Sequence, residues 1–275
     1  MTNTVETPIS EATPATGDLL LLDELQSLPL EKLGERALTH ALKVRPDATR
    51  RHMIFDQARH HLSQGGRLEA TGLLEMSGDS GTLRWPCFQL RPGPDDVLLS
   101  ASLLRPLGLR PGLMLRCALR LPRDRERGLV AEAILEIEGV PMAEWSCEAD
   151  FDKLTPLFPD QRILLENDGD DALSARAVDL LAPIGKGQRG LIVAPPRAGK
   201  TLMLKALARG IRKNHPEIVL ILLLVDERPE EVTDLRRDLD CEIYSSTFDE
   251  PVTRHVQVCE AVSDRAKRLV ELGRD

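Results

Sequence analysis

One short segment has the residue types and spacing of a loop that binds phosphates. Residues 194–201 are Ala-Pro-Pro-Arg-Ala-Gly-Lys-Thr, which fits the Walker A pattern except that alanine replaces its first glycine. Gly199 permits close approach of the backbone, Lys200 can reach the β- and γ-phosphates, and the Thr201 hydroxyl can hold Mg²⁺. An apolar run enters the loop and a helical pattern leaves it. The segment therefore predicts a site for a nucleoside triphosphate and Mg²⁺.

Two adjacent carboxylates, Asp226 and Glu227, follow a second apolar run. Ligands of open α/β sheets lie beyond the carboxyl ends of the strands, so both residues are expected near the phosphate-binding loop. Their spacing leaves two interpretations equally open. A carboxylate here holds Mg²⁺ through water or orients the attacking water, or the two residues cap the following helix. On spacing alone, Asp226 would be the Walker B aspartate.

Arginines are concentrated between positions 103 and 127, where there are seven arginines, no lysine and two acidic residues. Apolar and polar residues alternate from Leu115 to Leu121, as in a strand with one buried face, and this pattern puts Arg116 and Arg120 on the opposite face. Two interpretations remain open. The arginines solubilise the exterior of a barrel, or they follow the phosphates of a nucleic acid.

Composition excludes several classes of protein. No apolar run approaches the roughly 18 residues that cross a membrane, and no basic, apolar leader resembles a signal peptide, so we expect a cytoplasmic protein without a membrane partner. The five cysteines are widely spaced and include no Cys-x-x-Cys, which indicates neither a disulfide framework nor a zinc site. The net charge of −8 disfavours a wholly basic nucleic-acid binder but permits a local basic surface.

The sequence pattern divides the chain into five segments. They are a disordered tail at 1–17, a helical unit at 18–64, short strands of a barrel or sandwich at 65–140, a linker at 141–174 and an α/β unit at 175–275. Apolar stretches in the third segment lie at 72–76, 113–121 and 129–137. In the last segment we expect strands at 191–194, 218–225 and 243–245, the second of them fully buried, and helices at 200–213 and 252–272.

Several longer runs resemble the family of bacterial transcription termination factor Rho. They are Asp179–Thr201, Asn214–Pro216, Asp226–Thr233, Ser246–Pro251 and Arg254–Val258. The resemblance extends in order over residues 18–275. It implies a multidomain α+β and α/β fold, with a helical unit, a cold-shock-like OB barrel and the start of a RecA-like P-loop ATPase. It also implies a homohexameric RNA-dependent ATPase that binds single-stranded RNA and acts on RNA polymerase complexes.

The resemblance assigns roles to individual residues at the nucleotide. Glu227 becomes the general base and Lys200 the catalytic lysine, whereas the Walker B aspartate of the family lies on a later strand, which replaces the assignment of Asp226. Thr201 is the Mg²⁺ ligand. The residues implied to bind ATP are Gly185, Lys186, Gly187, Gln188, Arg189, Gly190, Arg197, Ala198, Gly199, Lys200, Thr201, Leu202 and Arg228.

The barrel departs from the family pattern in its aromatic residues. The family carries a Gly-Phe-Gly-Phe-Leu-Arg type segment that stacks on bases, whereas residues 79–84 are Asp-Ser-Gly-Thr-Leu-Arg. Because stacking contributes about 1–3 kcal/mol per base, we expect weaker, less pyrimidine-specific and more salt-dependent binding of RNA. Trp85 and Phe88 either replace the missing aromatic residues as stacking surfaces or belong to the core. We favour the core. The expected RNA contacts are Arg84, Asp96, Val97, Leu98, Arg116, Arg120, Glu126, Arg127 and Gly128.

The end of the sequence departs from the family as well. The chain stops after the helix that precedes the Walker B strand of the family, so we expect an incomplete form without full activity. One alternative is a truncated subunit that binds RNA or nucleotide without catalysis. A subunit of ATP synthase is disfavoured, because its phosphate-binding loop is rich in glycine and has no counterpart of Pro195 and Pro196.

Overall fold

The computed structural model describes residues 17–43, 45, 47–123, 126, 128–146, 149–169, 172–195 and 198–275. Arg127, Arg197 and residues 1–16 of the predicted tail lie outside the described residues. None of the helices in the described ranges has the length and hydropathy needed to cross a membrane.

Three helices form the N-terminal unit: α1 (Leu22–Ser27), α2 (Leu30–Thr39) and α3 (Arg50–Ser63). Helix α1 ends where Pro29 forces the preceding residue into an extended conformation. Helix α3 begins after Thr49, whose side-chain oxygen accepts a hydrogen bond from the His52 amide. A short strand that the sequence did not predict, β1 (Leu19–Leu21), precedes α1 and runs parallel to the first strand of the barrel.

A closed barrel of five strands follows in the described part of the chain. Its strands are β2 (Arg67–Ser77), β3 (Ser80–Arg84), β4 (Val97–Leu99), β5 (Met114–Arg120) and β6 (Leu129–Ile137). The order around the barrel is β2-β3-β4-β6-β5, and β5 pairs with β2 to close it. Outside the wall are α4 (Ala101–Leu104) and β7 (Val140–Pro141). The stretches expected at 72–76, 113–121 and 129–137 are confirmed as strands, and this is an OB-like barrel.

The alternation in β5 is confirmed by its burial. Leu115, Cys117 and Leu119 are buried inside the barrel, whereas Arg116 and Arg120 lie on its outer face. The same core continues under the helical unit, because the buried face of α1 to α3 packs on the barrel. Alternating side chains therefore supply one core for both units.

The remaining elements form the unit that carries the phosphate-binding loop. They are β8 (Arg162–Ile163), α5 (Ala172–Leu181), β9 (Ile184–Gly185), α6 (Lys200–Asn214), β10 (Ile221–Glu227), α7 (Pro229–Asp238), β11 (Glu242–Thr247) and α8 (Val252–Glu271). Strands β10 and β11 are parallel, and β8 and β9 are antiparallel. The helices predicted at 200–213 and 252–272 and the strand predicted at 243–245 are confirmed.

One strand prediction is wrong, and a second is confirmed as a strand but is wrong about its start and its full burial. Residues 191–194 form no strand, and Leu191 and Val193 are largely exposed. A strand needs neighbours to accept its hydrogen bonds, and no described strand lies beside this segment. The strand expected at 218–225 begins at Ile221 and is only partly buried, since Leu224 is its one buried residue. In the described sheet, β10 pairs with β11 along one edge alone.

The barrel and the P-loop unit share a small apolar core. Leu73 and Leu90 of the barrel pack with Tyr244 of β11 and with Val258 and Val262 of α8. Burial of these five side chains removes apolar surface of both units from water, which stabilises their contact.

Polar groups fix the same contact. The buried Arg254 of α8 donates hydrogen bonds to the carbonyl oxygens of Gln89 and Leu90 in the barrel. Arg265 of α8 pairs with Glu138 at 2.5 Å. Gly112 has a φ of +91°, and a Cβ there would lie 2.4 Å from the backbone of Asp264. Glycine is therefore required where the barrel approaches α8 most closely.

Candidate functional site

The phosphate-binding loop ends directly in a helix. Gly199 adopts a left-handed conformation with a φ of +89°, and α6 begins at Lys200. Glycine reaches this conformation without strain, and the turn sets the amides of the first helical residues at the helix end. Free amides and the helix dipole at such an end favour an anion.

A cavity of about 570 Å³ opens beside this helix end. Its lining residues come from the loop, from the start of α6, from the end of β10 and from α7: Ala194, Pro195, Gly199, Lys200, Thr201, Leu202, Glu227 and Glu231. The Lys200 Nζ lies 3.6 Å from the Glu227 Oε1. The Lys200 side chain is about half exposed, so this ion pair is weak and can open for a phosphate group.

A bulge in β10 orients Glu227. Val225 pairs with Ser246 and Glu227 pairs with Thr247, so Asp226 has no partner in β11. Asp226 has a φ of +59°, which is uncommon for a residue other than glycine. A bulge turns the next side chain, and backbone strain of this kind often occurs at functional sites. No side-chain hydrogen bond caps α7 among the described residues, which removes support for the interpretation of Asp226 and Glu227 as a cap.

Oxygen atoms around the cavity match the preference of Mg²⁺. The Thr201 hydroxyl and the carboxylates of Glu227 and Glu231 all line it, and Mg²⁺ is bound through oxygen ligands and water. Sequence reasoning missed Glu231. The signal was present, because Glu230 and Glu231 are acidic residues in the first turn of a helix that follows the Asp226-Glu227 pair.

Several residues expected at the nucleotide lie outside this lining. Gly185 is in β9, its amide donates to the Gln188 Oε1 at 2.9 Å, and Lys186 pairs with Asp275 at 2.5 Å. Arg228 directly precedes α7. The residues that do not line the cavity are Gly185, Lys186, Gly187, Gln188, Arg189, Gly190, Ala198 and Arg228. Their roles stay predictions.

On the barrel, Arg84 and Asp96 form the centre of an ionic cluster. Arg84 donates to Glu75 and to Asp96, and Arg51 donates to Asp96 at 2.7 Å and to Asp95 at 2.5 Å. Burial raises the pKa of Asp96, while the Gly93 amide and the two arginines oppose this rise. The cluster therefore joins α3 of the helical unit to β3 and the loop before β4, through residues expected to contact RNA.

The arginines of β5 are also paired with carboxylates. Arg116 lies 2.7 Å from Glu69 and 3.0 Å from Glu136. Arg120 donates two hydrogen bonds to Glu126, at 2.7 and 2.8 Å. These bonds, together with the Arg123 amide, lower the pKa of Glu126 to about 2. The arginine-rich surface is thus neutralised locally, which supports its structural interpretation more than a free phosphate-binding groove.

Few aromatic groups face outward on the barrel. Trp85 is fully buried, as expected for a core residue. Phe88 is half-buried, and the guanidinium carbon of Arg51 lies 4.9 Å from its ring centre. Val97 is buried and Leu98 is 38% exposed. Gly128 has a φ of +116°, so a larger residue there would be strained.

Comparison with known proteins agrees with this geometry. The model of the Rho termination factor RNA-binding domain matches residues 70–144, which contain the barrel strands. The model of the nucleotide-binding domain of the ATP synthase alpha/beta family matches residues 174–268, which contain the phosphate-binding loop and its cavity.

Relatives named transcription termination factor Rho match most of the chain. The protein of Akkermansia muciniphila is 44% identical over 255 residues, which are 92% of this chain and 54% of the relative. The protein of Cereibacter sphaeroides is 46% identical over 233 residues, with coverages of 84% and 55%. That of Pseudomonas aeruginosa is 42% identical over 260 residues, with coverages of 92% and 61%. The chain thus spans between half and two thirds of the length of these relatives.

The fold and the site define a multidomain protein in which an OB-like barrel of RNA-binding type precedes a P-loop nucleotide-binding unit. The barrel match and the relatives together show more than this class. The chain belongs to the family of transcription termination factor Rho, of which it covers the N-terminal portion.

Proposed function

We propose that this chain is part of an RNA-dependent ATPase of the Rho type, which binds nascent RNA and uses ATP hydrolysis to release transcripts. One observation carries the proposal. Lys200, Thr201 and Glu227 line one cavity at a helix end, in a chain whose barrel matches a Rho RNA-binding domain. In this proposal one unit of the polypeptide hydrolyses ATP and the other unit binds RNA.

Each residue of the cavity has a role in this proposal. The amides at the start of α6 and the Lys200 ammonium bind the β- and γ-phosphates of ATP. Thr201 would hold Mg²⁺, which would neutralise charge on the phosphates, and Glu231 lines the same cavity. Glu227 orients the attacking water and accepts its proton. The weak contact between Lys200 and Glu227 keeps both groups at the place where the γ-phosphate would bind.

The barrel binds single-stranded RNA in the same proposal. Leu98 and Gly128 offer no aromatic ring, so affinity depends on charged and polar groups more than on stacking. We infer further that the whole protein is a cytoplasmic homohexamer that acts on the RNA polymerase complex. These inferences rest on the family, of whose relatives this chain covers 54–61% of the length.

Nucleotide binding and hydrolysis test the proposal on this chain. A fluorescent ATP analogue should bind, and Lys200→Ala should weaken this binding at least tenfold, because the variant loses the cation that contacts the phosphates. Lys213→Ala, at the far end of α6, is the matched control and should bind as the unmodified chain does. Equal binding by the Lys200 and Lys213 variants would refute the site.

Hydrolysis distinguishes the motor from a binding subunit. RNA-stimulated release of phosphate, absent from Glu227→Gln while nucleotide binding persists, would support the ATPase. This chain could bind ATP and RNA without hydrolysing ATP, while a longer form of the protein hydrolyses it. That result would show that hydrolysis needs residues beyond those of this chain. Absence of hydrolysis in both forms would favour the non-catalytic alternative.

A further inference from the structure

A second cavity of about 390 Å³ lies where the barrel meets the P-loop unit. Its volume falls within the range of about 300–1,000 Å³ that is typical of ligand sites. The barrel side is formed by the helical turn at Pro86–Phe88 and the residues after it, with Arg51 from α3. The opposite side is formed by α7 and β11, with Thr233, Arg236 and Ser245.

Three arginines line this cavity, and they differ in their partners. Arg51 is held by Asp95 and Asp96. Arg91 lies 3.0 Å from Glu250. Arg236 contacts the Ser245 hydroxyl at 3.4 Å and pairs with no carboxylate among the described residues.

This arrangement concentrates positive charge in the cavity. Arg91 and Arg236 face the same space, and partial burial and the charge of Arg91 both lower the pKa of Arg236. Like charges held together destabilise the fold unless an anion lies between them. Arg84 and Arg116 of the barrel have carboxylate partners, whereas Arg236 has none among the described residues.

The cavity is continuous with the predicted RNA contacts of the barrel. Arg51 lines the cavity and also binds Asp96, which binds Arg84. The Arg91 side chain is 53% exposed, so the cavity has an open rim that a linear polymer can enter. The Thr233 hydroxyl donates to the Pro229 carbonyl oxygen and the Ser245 hydroxyl donates to the Gln89 side-chain oxygen. The guanidinium groups are therefore the donors that a phosphate would meet in this cavity.

We propose that this cavity binds a phosphodiester of single-stranded RNA. This phosphodiester lies next to the RNA nucleotide that Arg84 and Asp96 are expected to contact. The inference rests on the proposed function of the barrel. Guanidinium groups bind phosphate through paired hydrogen bonds, and none of the described carboxylates occupies this capacity of Arg236. RNA bound in this way touches α7, the helix that follows Glu227, and so links the barrel to the nucleotide site.

The salt dependence of RNA binding tests this proposal. Loss of one phosphate contact should flatten the slope of log K against log salt by about 0.7 for a single strand. We therefore expect Arg236→Gln to flatten the salt slope in this way when the RNA oligonucleotide is long enough to extend from the barrel into the cavity. Arg236→Lys keeps the charge and should retain the slope. Arg237→Gln is the matched control, because Arg237 is the next residue on α7 and does not line the cavity.

The outcomes separate this proposal from the function of the barrel. If Arg84→Gln weakens RNA binding while Arg236→Gln leaves affinity and slope unchanged, the cavity proposal is wrong and the barrel function stands. If the unmodified chain binds no RNA, the proposed function itself fails. If inorganic phosphate raises the melting temperature of the unmodified chain but not of Arg236→Gln, and the RNA slope is unchanged, the cavity holds a free anion and RNA binding there is refuted.

Discussion

Arg116→Gln decides between the two interpretations of the arginine-rich surface. Arg116 donates to Glu69 at 2.9 Å and to Glu136 at 3.0 Å. The Glu69 side chain is only 5% exposed, and its other cationic partner, Arg67, lies 3.4 Å away. Removal of Arg116 therefore leaves a buried carboxylate with one long contact. If the role of Arg116 is structural, the variant should have a lower free energy of unfolding while the folded variant keeps its RNA affinity.

The magnitude follows from the burial of the two partners. Loss of one partner from a buried pair costs about 3–5 kcal/mol, whereas exposed pairs contribute about 0.2–1 kcal/mol. The Arg116 side chain is 35% exposed, so solvent screens the pair and the effect falls between these limits. We expect Arg116→Gln to lower the free energy of unfolding by about 1–3 kcal/mol. Glu69→Gln in the same chain should recover part of this loss, because it removes the uncompensated charge.

Urea unfolding of the single and double variants measures these changes in the free energy of unfolding. Arg105→Gln is the control, because its pair with Asp79 lies on the surface, where both side chains are about two-thirds exposed. It should change stability by less than about 0.5 kcal/mol. Unchanged stability of Arg116→Gln, together with a salt slope of RNA binding flattened by about 0.7, would refute the structural role and identify a phosphate ligand.

Two further predictions concern the β10 bulge and the partly buried ion pair between Arg120 and Glu126. Asp226→Val should lower the free energy of unfolding by about 1–3 kcal/mol, because a β-branched residue is strained at positive φ, whereas Asp226→Gly should stay within about 0.5 kcal/mol. Equal stability of the two variants in urea would show that the bulge needs no special residue. Glu126 has a pKa lowered to about 2 from 4.5, so its stabilisation is present above about pH 4.5 and is lost as the pH falls through about 2. The difference in melting temperature between the unmodified chain and Glu126→Gln should shrink over this window, and a constant difference would contradict the assigned pair.

The pairing of the arginines changes how the barrel surface is interpreted. Arginine content left open a solubilised barrel exterior or a phosphate-binding groove, because the sequence could not show that Glu69 and Glu136 lie on neighbouring strands beside Arg116. These acids are 47 and 20 residues away along the chain. Cross-strand pairing therefore decides the local charge, and composition of a single segment does not.

The phosphate-binding loop was predictable for a physical reason. Its function depends on local backbone conformation, on Gly199 at positive φ and on a helix that begins at Lys200, and adjacent residues encode all three. The barrel strands were predictable because alternation along β5 matches one buried face. The strand expected at 191–194 failed, since apolar residues form a strand only where a neighbour pairs with them.

The sequence by itself determined the local elements: the loop with the Walker A pattern and the helix after it, the alternating strands and the end of α1 before Pro29. Tertiary structure alone decided which distant groups meet. It placed Glu231 in the cavity beside Lys200, turned Glu227 toward Lys200 through the bulge at Asp226, and gave Arg236 no carboxylate partner among the described residues where two units join. Such contacts depend on how strands and helices pack in space, and the local pattern of residue types shows only which face of each element is buried.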